Sequence, residues 1–365
     1  MNIHLKPVSL RKYSVILIYS FFIMAIIAWF MEFYFEKLSG DLTRAGSFTE
    51  RDFGWQIQRP AISSEDLKDY SLAEADVLVI GDSFSMSHVW QTKLAANGLK
   101  VGTMHWQDLR SPSQILLGGH ANLANPLRSD LGDALRTAGF KGRYVIIESV
   151  EWLFQERMKS LSKESNPIVK HEVVINTSFP LYPFTRREHI SLSKLNGVDW
   201  GIKALCNKIK LFFNSSESYS SGIIRAIKFN GCQFFSHRLC NYSLFTDMEF
   251  EQKTFNSIAN VLTVNKNLQA AGIKPIWAIV PNKSTVYLGY GALNQYPYQN
   301  IWQLFAQYPE LITPDLGGLF IQKSRIIKDF YMPNDTHLST NGFLYLGDIM
   351  LSELRKIQTN QTKPM

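Results

Sequence analysis

Nineteen consecutive residues, Tyr13 to Met31, carry no charge and read YSVILIYSFFIMAIIAWFM. As a helix rising about 1.5 Å per residue they would span roughly 28 Å, close to the hydrocarbon thickness of a bilayer. The run is apolar on every face, whereas a helix packed on a soluble core keeps one polar face. Tyr13 at one end and Trp29 and Tyr34 near the other suit the aromatic belts of a span. A secretory signal would have a shorter apolar core and a small-residue cleavage site. Here the bulky WFMEFYFEKL overlaps the end of the run, with no A-x-A pattern. The sequence therefore predicts an uncleaved transmembrane anchor over residues 13–35. Lys6, Arg11 and Lys12 precede it and acidic residues follow it. The positive-inside rule then makes residues 1–12 a cytoplasmic tail. The expected location is the inner (cytoplasmic) membrane, single-pass, with the main domain periplasmic or otherwise extracytoplasmic.

The rest of the 365-residue chain is long enough for one large α/β domain or two small ones without disulfide staples. A hydrophobic share of 45% against 19% charged excludes a disordered chain. The net charge of +7 is spread along the sequence and forms no basic stripe. It suits an anionic surface or glycan, and no nucleic-acid module is visible. Three cysteines are too few for a disulfide framework. Cys232 and Cys240 would pair in an oxidising compartment, and all three as small apolar fillers is an equally good reading.

Residues 36–74 read as a polar juxtamembrane stalk and lead-in. The main domain is expected over 75–357, with a frayed tail at 358–365. Asp76-Val-Leu-Val-Ile80 suits a buried parallel strand, Met86 to Asn97 a helix closed by Gly98, and Leu99 to Trp106 a second strand. Asp130 to Gly139 reads as helix and Tyr144 to Glu148 as strand. Residues 155–250 break the rhythm and read as an insertion or cap. A helix over Phe250 to Ala271, the strand Pro275 to Val280 and a last helix over Thr340 to Ile357 follow. This alternation predicts an α/β fold with a parallel sheet between two helical layers.

Two patterns carry chemistry. Gly81-Asp82-Ser83 ends the first strand where a helix begins. Ligands of open parallel sheets sit beyond the carboxyl ends of the strands. A serine in the first helical turn also meets backbone N–H groups and the positive end of the helix dipole. The plain alternative is that Asp82 and Ser83 only cap the helix. Near the far end stands Asp335-Thr-His337-Leu-Ser, before the last helix. A nucleophilic serine needs a base, and the base needs an orienting acceptor. Ser83, His337 and Asp335 supply those three roles.

These two blocks resemble the first and fifth blocks of the SGNH/GDSL hydrolase superfamily. The short D-x-H-L-S spacing is most similar to the branch containing alginate-acetylation and other cell-surface polysaccharide O-acetyltransferases. Val145-Ile-Ile-Glu148-Ser149-Val150-Glu151 and Ile279-Val-Pro-Asn282-Lys283-Ser-Thr-Val-Tyr287 resemble that branch as well. The resemblance covers about residues 75–155 and 250–357. It implies a three-layer α/β/α domain, Ser83 as nucleophile, His337 as general base and Asp335 as its orienter. It also implies a membrane-bound O-acyltransferase partner that supplies the acyl donor.

The chain departs from the family in its middle blocks. The third-block Asn is missing at Glu148-Ser149-Val150-Glu151, and the second-block Gly is missing at Met104-His105-Trp106-Gln107. Beyond the Ser83 amide, Ser149 and Gln107 are candidate oxyanion donors. Glu148 or Glu151 would hold an arginine or a helix terminus. Asn282 and Lys283, just after a strand, are candidates for touching substrate. His105 and His120 border a loop at Arg110–Gly119 and read as structural. No G-x-S-x-G elbow, phosphate loop or metal-ligand spacing is present, so no metal and no cofactor is expected. The expectation is an O-acetyltransferase acting on a cell-envelope polysaccharide. A carbohydrate acetylesterase of the same fold and a non-catalytic glycan-binding or assembly protein are the alternatives.

Overall fold

The short apolar runs become strands of one sheet. In the computed structural model, which describes residues 10–34, 39–57, 59–63, 65–109, 127–162, 168–170, 196–213, 218–250, 255–289 and 300–362, these are β1 (Val77–Gly81), β2 (Val101–His105), β4 (Tyr144–Val150) and β9 (Lys274–Val280). They lie parallel in the order β2-β1-β4-β9. Val77 pairs with both Val101 and Tyr144, and Tyr144 with Lys274. Every residue of β1 and of β4 is buried, as expected for strands covered on both faces. The chain leaves β1 for β2 on one side and later returns to β4 on the other. That reversal opens a crevice beyond the carboxyl ends of β1 and β4, where such sheets bind ligands. The fold is thus α/β with a parallel sheet and helices packed against it.

Among the described residues the α-helices are, in chain order, α1 (Leu10–Tyr34), α2 (Asp41–Gly46), α3 (Glu50–Phe53), α4 (Ser83–Met86), α5 (Gln91–Ala95), α6 (Leu131–Thr137), α7 (Glu151–Met158), α8 (Asn196–Phe213), α9 (Ile258–Ala270), α10 (Lys283–Leu288), α11 (Ile301–Phe305), α12 (Leu316–Ser324) and α13 (Thr340–Thr362). The helix expected over Met86–Asn97 is split. His88 takes a left-handed φ of 57°, which interrupts the helix, and the Gln91 side-chain amide at 2.6 Å shares the Ser85 carbonyl with the His88 N–H. The helix expected from Phe250 starts only at Ile258, and Gly272, at φ 70°, ends it. The tail expected to fray from 358 is helical to Thr362. The loop Arg110–Gly119, His120 and much of the expected insertion (163–167 and 171–195) lie outside the described residues.

The stretch read as a stalk is not a free spacer. Leu42, Phe48 and Phe53 share a small apolar core with Leu211, Ile224, Ala226 and Leu244. The last three belong to an antiparallel sheet of β6 (Ser218–Ser220), β7 (Ile224–Lys228) and β8 (Tyr242–Thr246) in that order. Residues 39–53, α8 and this antiparallel sheet therefore form one lobe, joined to the main core through Ile227, Phe235 and Phe245. Two-residue strands β3 (Leu127–Arg128) and β5 (Leu161–Ser162) pair separately. Cys232 and Cys240 form a disulfide, and Cys206 is free.

Helix α1 exposes its described side chains, among them Leu17 and Phe21. Among the described residues no helix is long and apolar enough to cross a membrane. The described side chains of α1 run from Lys12 to Ile27, sixteen residues, where a span needs about 20. The anchor expected over 13–35 is therefore not established by the fold.

Candidate active site

The chain reverses tightly after β1. Gly81 is required there, because a Cβ would sit 2.4 Å from Ser85 Oγ and 2.6 Å from Glu148 Oε2. Asp82 caps α4: its carboxylate accepts from the Phe84 N–H at 3.0 Å, the Val150 N–H at 3.2 Å and Arg157 Nη1 at 2.8 Å. Burial opposes the Asp82 charge, but the Arg157 guanidinium and these N–H groups hold its carboxyl below the ordinary value. Glu148 goes the other way. Burial and the neighbouring Asp82 charge push its carboxyl well above the usual range. It accepts from the Asp82 N–H at 2.9 Å and from Ser85 Oγ at 2.8 Å, bracing the turn from below.

On this turn Ser83 Oγ lies 2.7 Å from His337 Nε2. His337 Nδ1 lies 2.6 Å from Asp335 Oδ1, which also accepts the His337 N–H at 3.0 Å. The three residues singled out from sequence thus meet as a hydrogen-bonded relay across 254 positions of chain. Burial works against charge on His337, but Asp335 above all, with Asp41 and Asp82, raises its pKa to about 9. Asp335 is held down at about 2: burial opposes its charge, and the His337 ring outweighs that penalty. Phe84 packs on the imidazole with ring centroids 4.8 Å apart.

The loop carrying Asp335 and His337 is gripped from the lobe. Asp41 accepts from the Thr336 N–H at 3.0 Å and from Thr336 Oγ1 at 2.7 Å, and its own N–H donates to Asp335 Oδ2 at 3.1 Å. Burial and the Asp335 charge raise the Asp41 carboxyl to about 6. Asn334 accepts from the Leu42 N–H and donates to Glu50 Oε2 at 2.7 Å. Glu50 also takes the Gly40 N–H and the Thr43 hydroxyl. A Cβ on Gly40 would stand 1.9 Å from the Asn334 carbonyl oxygen, so glycine alone permits this approach. Nothing local in the sequence marks Asp41 for this position.

Lys283, expected to touch substrate, lies at the wall of the cavity beside Ser83 and His337, and its amine turns to the loop. It is fully buried, and its Nζ donates to the carbonyls of Met332 and Pro333 at 2.8 Å and of Asp335 at 3.2 Å. All three of its N–H bonds are spent on the loop. Burial lowers its pKa to about 8 despite the nearby Glu249. Ser149, a candidate oxyanion donor, is also diverted. Its side chain is buried, donates to the Val150 carbonyl and receives Arg157 Nη1 at 2.6 Å. Glu151 holds the start of α10, accepting from the Asn282 N–H at 2.8 Å and Thr285 Oγ1 at 2.7 Å.

Ser83 and His337 open into a cavity of about 420 Å³, whose lining includes Gln107, Trp152, Asn282, Arg44 and Met248. Asn282 is the notable member. Its Oδ1 accepts the Trp152 N–H at 3.1 Å, which orients the amide and leaves Nδ2 buried with no partner among the described residues. Gln107 also faces the cavity, though its backbone N–H is bonded to His105 Nδ1. Because α4 has only four residues, its dipole adds little, and stabilisation of an oxyanion falls to individual N–H groups.

One ligand atom each of Asp41, Asp335 and His337 lies within 4.8 Å of the others. Those atoms are engaged with Thr336, with one another and with Ser83, which is the geometry of a proton relay. Comparison with family models, with curated proteins and with solved structures gives no match.

Proposed function

We propose that this chain is a membrane-anchored, extracytoplasmic O-acetyltransferase of the SGNH type that acts on a cell-envelope polysaccharide through an acyl-enzyme on Ser83. The observation that carries this reading is the unbroken contact from Ser83 Oγ through His337 to Asp335 at the wall of a cavity. Ser83 Oγ bonds to the acyl carbon while its proton passes to His337 Nε2, and that proton leaves with the donor oxygen. A sugar hydroxyl then attacks the acyl carbon and gives its proton to His337 Nε2. Ser83 is released and takes the proton back. The Ser83 N–H and Asn282 Nδ2 are the donors for the oxyanion in both steps.

The Cys232–Cys240 disulfide suits an oxidising compartment. The uncharged run in α1, exposed along its described length, suits lipid as its surroundings. The acyl donor would come from a membrane-bound O-acyltransferase, as the family resemblance implies. With water in place of the sugar the same steps make a carbohydrate acetylesterase. An acceptor held in attack geometry reaches effective molarities of about 10⁵ M or more, far above that of water.

A fluorophosphonate probe should label the wild-type chain stoichiometrically and leave Ser83→Ala unlabelled. With an activated acetyl ester, adding polysaccharide fragments should divert acetyl from acetate to sugar. No labelling of Ser83 would leave only a non-catalytic glycan-binding role. Labelling with acetate as the sole product, whatever acceptor is offered, would replace the transferase by the esterase.

A further inference from the structure

Helix α8 has two faces of opposite use. The inner face carries Leu211 into the small core. From the same face Asn207 Nδ2 donates to the carbonyls of Gly46 at 2.9 Å and Ser47 at 3.1 Å. Lys208 pairs with Asp52 at 2.8 Å. The outer face shows Ile202, Cys206, Ile209 and Phe213 at spacings of four, three and four, which align as one stripe on a helix. Phe213 is 78% exposed and its neighbour Phe212 83%. Lys203 and Lys210 stand along one edge of the stripe, and Asp199 is the one acidic residue in the sequence of α8.

We infer that α8 is an in-plane membrane helix, whose stripe rests in the boundary between headgroups and acyl chains of an anionic bilayer. Water is a poor environment for two neighbouring phenylalanines exposed to this degree. Aromatic and aliphatic residues on one face with lysines along its edge are the composition of interfacial helices, which sink about 5–10 Å into that boundary. Lys210, whose Nζ also donates to the Tyr219 hydroxyl at 3.4 Å, stands at the edge of the stripe where anionic headgroups would lie. Helix α1, itself apolar and exposed, runs beside α8. Through Gly46, Ser47 and Asp52, α8 holds the segment that carries Asp41 to the His337 loop. Seating α8 on lipid would fix the lobe that supports the relay. This goes beyond the proposed activity and holds whether or not Ser83 acts on a glycan.

Cys206 lies on the stripe and is the one thiol outside the disulfide. The full-length protein, labelled there with an environment-sensitive fluorophore, is reconstituted in vesicles of phosphatidylcholine and phosphatidylglycerol. The label should shift to the blue and be quenched by lipids bearing doxyl groups near the headgroup. Aqueous iodide should quench it several-fold less than the same label on Lys356→Cys, an exposed site on α13, in a Cys206→Ser background. Phe212→Ser with Phe213→Ser should abolish the blue shift. Resistance of the double variant to carbonate extraction reports the anchor separately. Equal iodide quenching at Cys206 and at the control site overturns the proposal. Protection in native membranes but not in pure lipid vesicles also overturns it, in favour of a protein partner on the stripe.

Discussion

The two halves of the relay are built differently. The serine half rests on the sheet. Ser83 follows a fully buried strand, and the turn beneath it is bonded to Glu148 and Val150 of the adjacent strand and to Arg157 of the helix after it. The histidine half hangs in a loop with one isolated bridge, Tyr331 with Leu338. Lys283 closes that loop from below, and Asp41, Gly40 and Glu50, nearly 300 positions earlier, close it from the side. A ladder fixes Ser83, and borrowed side chains fix His337. Alignment of the relay therefore depends on a lobe outside the sheet.

The largest expected effects test whether the halves act as one unit. Ser83→Ala should fold normally, since it loses only a small side chain. Turnover should fall by about three orders of magnitude or more, and His337→Ala should be about as damaging. The double variant should be little worse than either alone. Losses that multiply, measured as kcat on one acetyl ester, would mean that Ser83 and His337 do not share a step.

Lys283→Met tests the suspended half. It removes the amine from the carbonyls of Met332, Pro333 and Asp335, of which Met332 keeps only the long bond from the Asp335 N–H, and leaves Glu249 without its nearby charge, at a cost on the order of 3–5 kcal/mol. Thermal unfolding should report that loss together with lost turnover. An unchanged melting temperature would show that the loop stands without Lys283. Asn282→Ala, one residue away, should behave in the opposite sense. Turnover should fall about 10²–10³-fold, as for other oxyanion donors. Stability should drop only by the orphaned Trp152 N–H, about 1–3 kcal/mol. Turnover within a few-fold of wild type would remove Asn282 from the oxyanion site.

The same contrast explains what could be read from the sequence. Ser83, Asp335 and His337 stand in short local patterns, a strand into G-D-S and a D-x-H before a helix, and both patterns fold where periodicity placed them. The parallel strands were legible as apolar runs for the same reason. Lys283 was legible as a position after a strand, but the direction of a side chain is set by tertiary contacts, and it turns inward to the loop. Ser149 is drawn away by Arg157 for the same cause. The split of α4 from α5 was hidden because it turns on a left-handed backbone at His88, a conformation that no propensity assigns to that residue. Asp41 left no signal at all. Its partners lie 294 and 295 residues away, and its surroundings read as polar linker.

Asp41 gives the smallest and most discriminating effect. It carries charge beside His337 and raises the imidazole pKa, while its oxygens hold Thr336 in place. In the proposed mechanism the base form of His337 accepts the Ser83 proton, so activity should rise with pH as the ring loses its proton, toward about 9. In Asp41→Asn the amide oxygen can still accept the Thr336 N–H, and the amide nitrogen can donate to Thr336 Oγ1. Geometry is kept and the charge is gone. The imidazole then loses one of the groups that favour its protonated form, its pKa falls, and the base form is present at lower pH. The acid limb of kcat/KM should therefore move to lower pH, with alkaline activity within a few-fold of wild type. Asp41→Ala loses the contacts as well as the charge and should lower activity at every pH. If the limb stays in place in Asp41→Asn while Asp41→Ala is impaired throughout, Asp41 only supports the loop. If neither variant differs from wild type, the relay is aligned without the lobe, and the two halves are more alike than their contacts suggest.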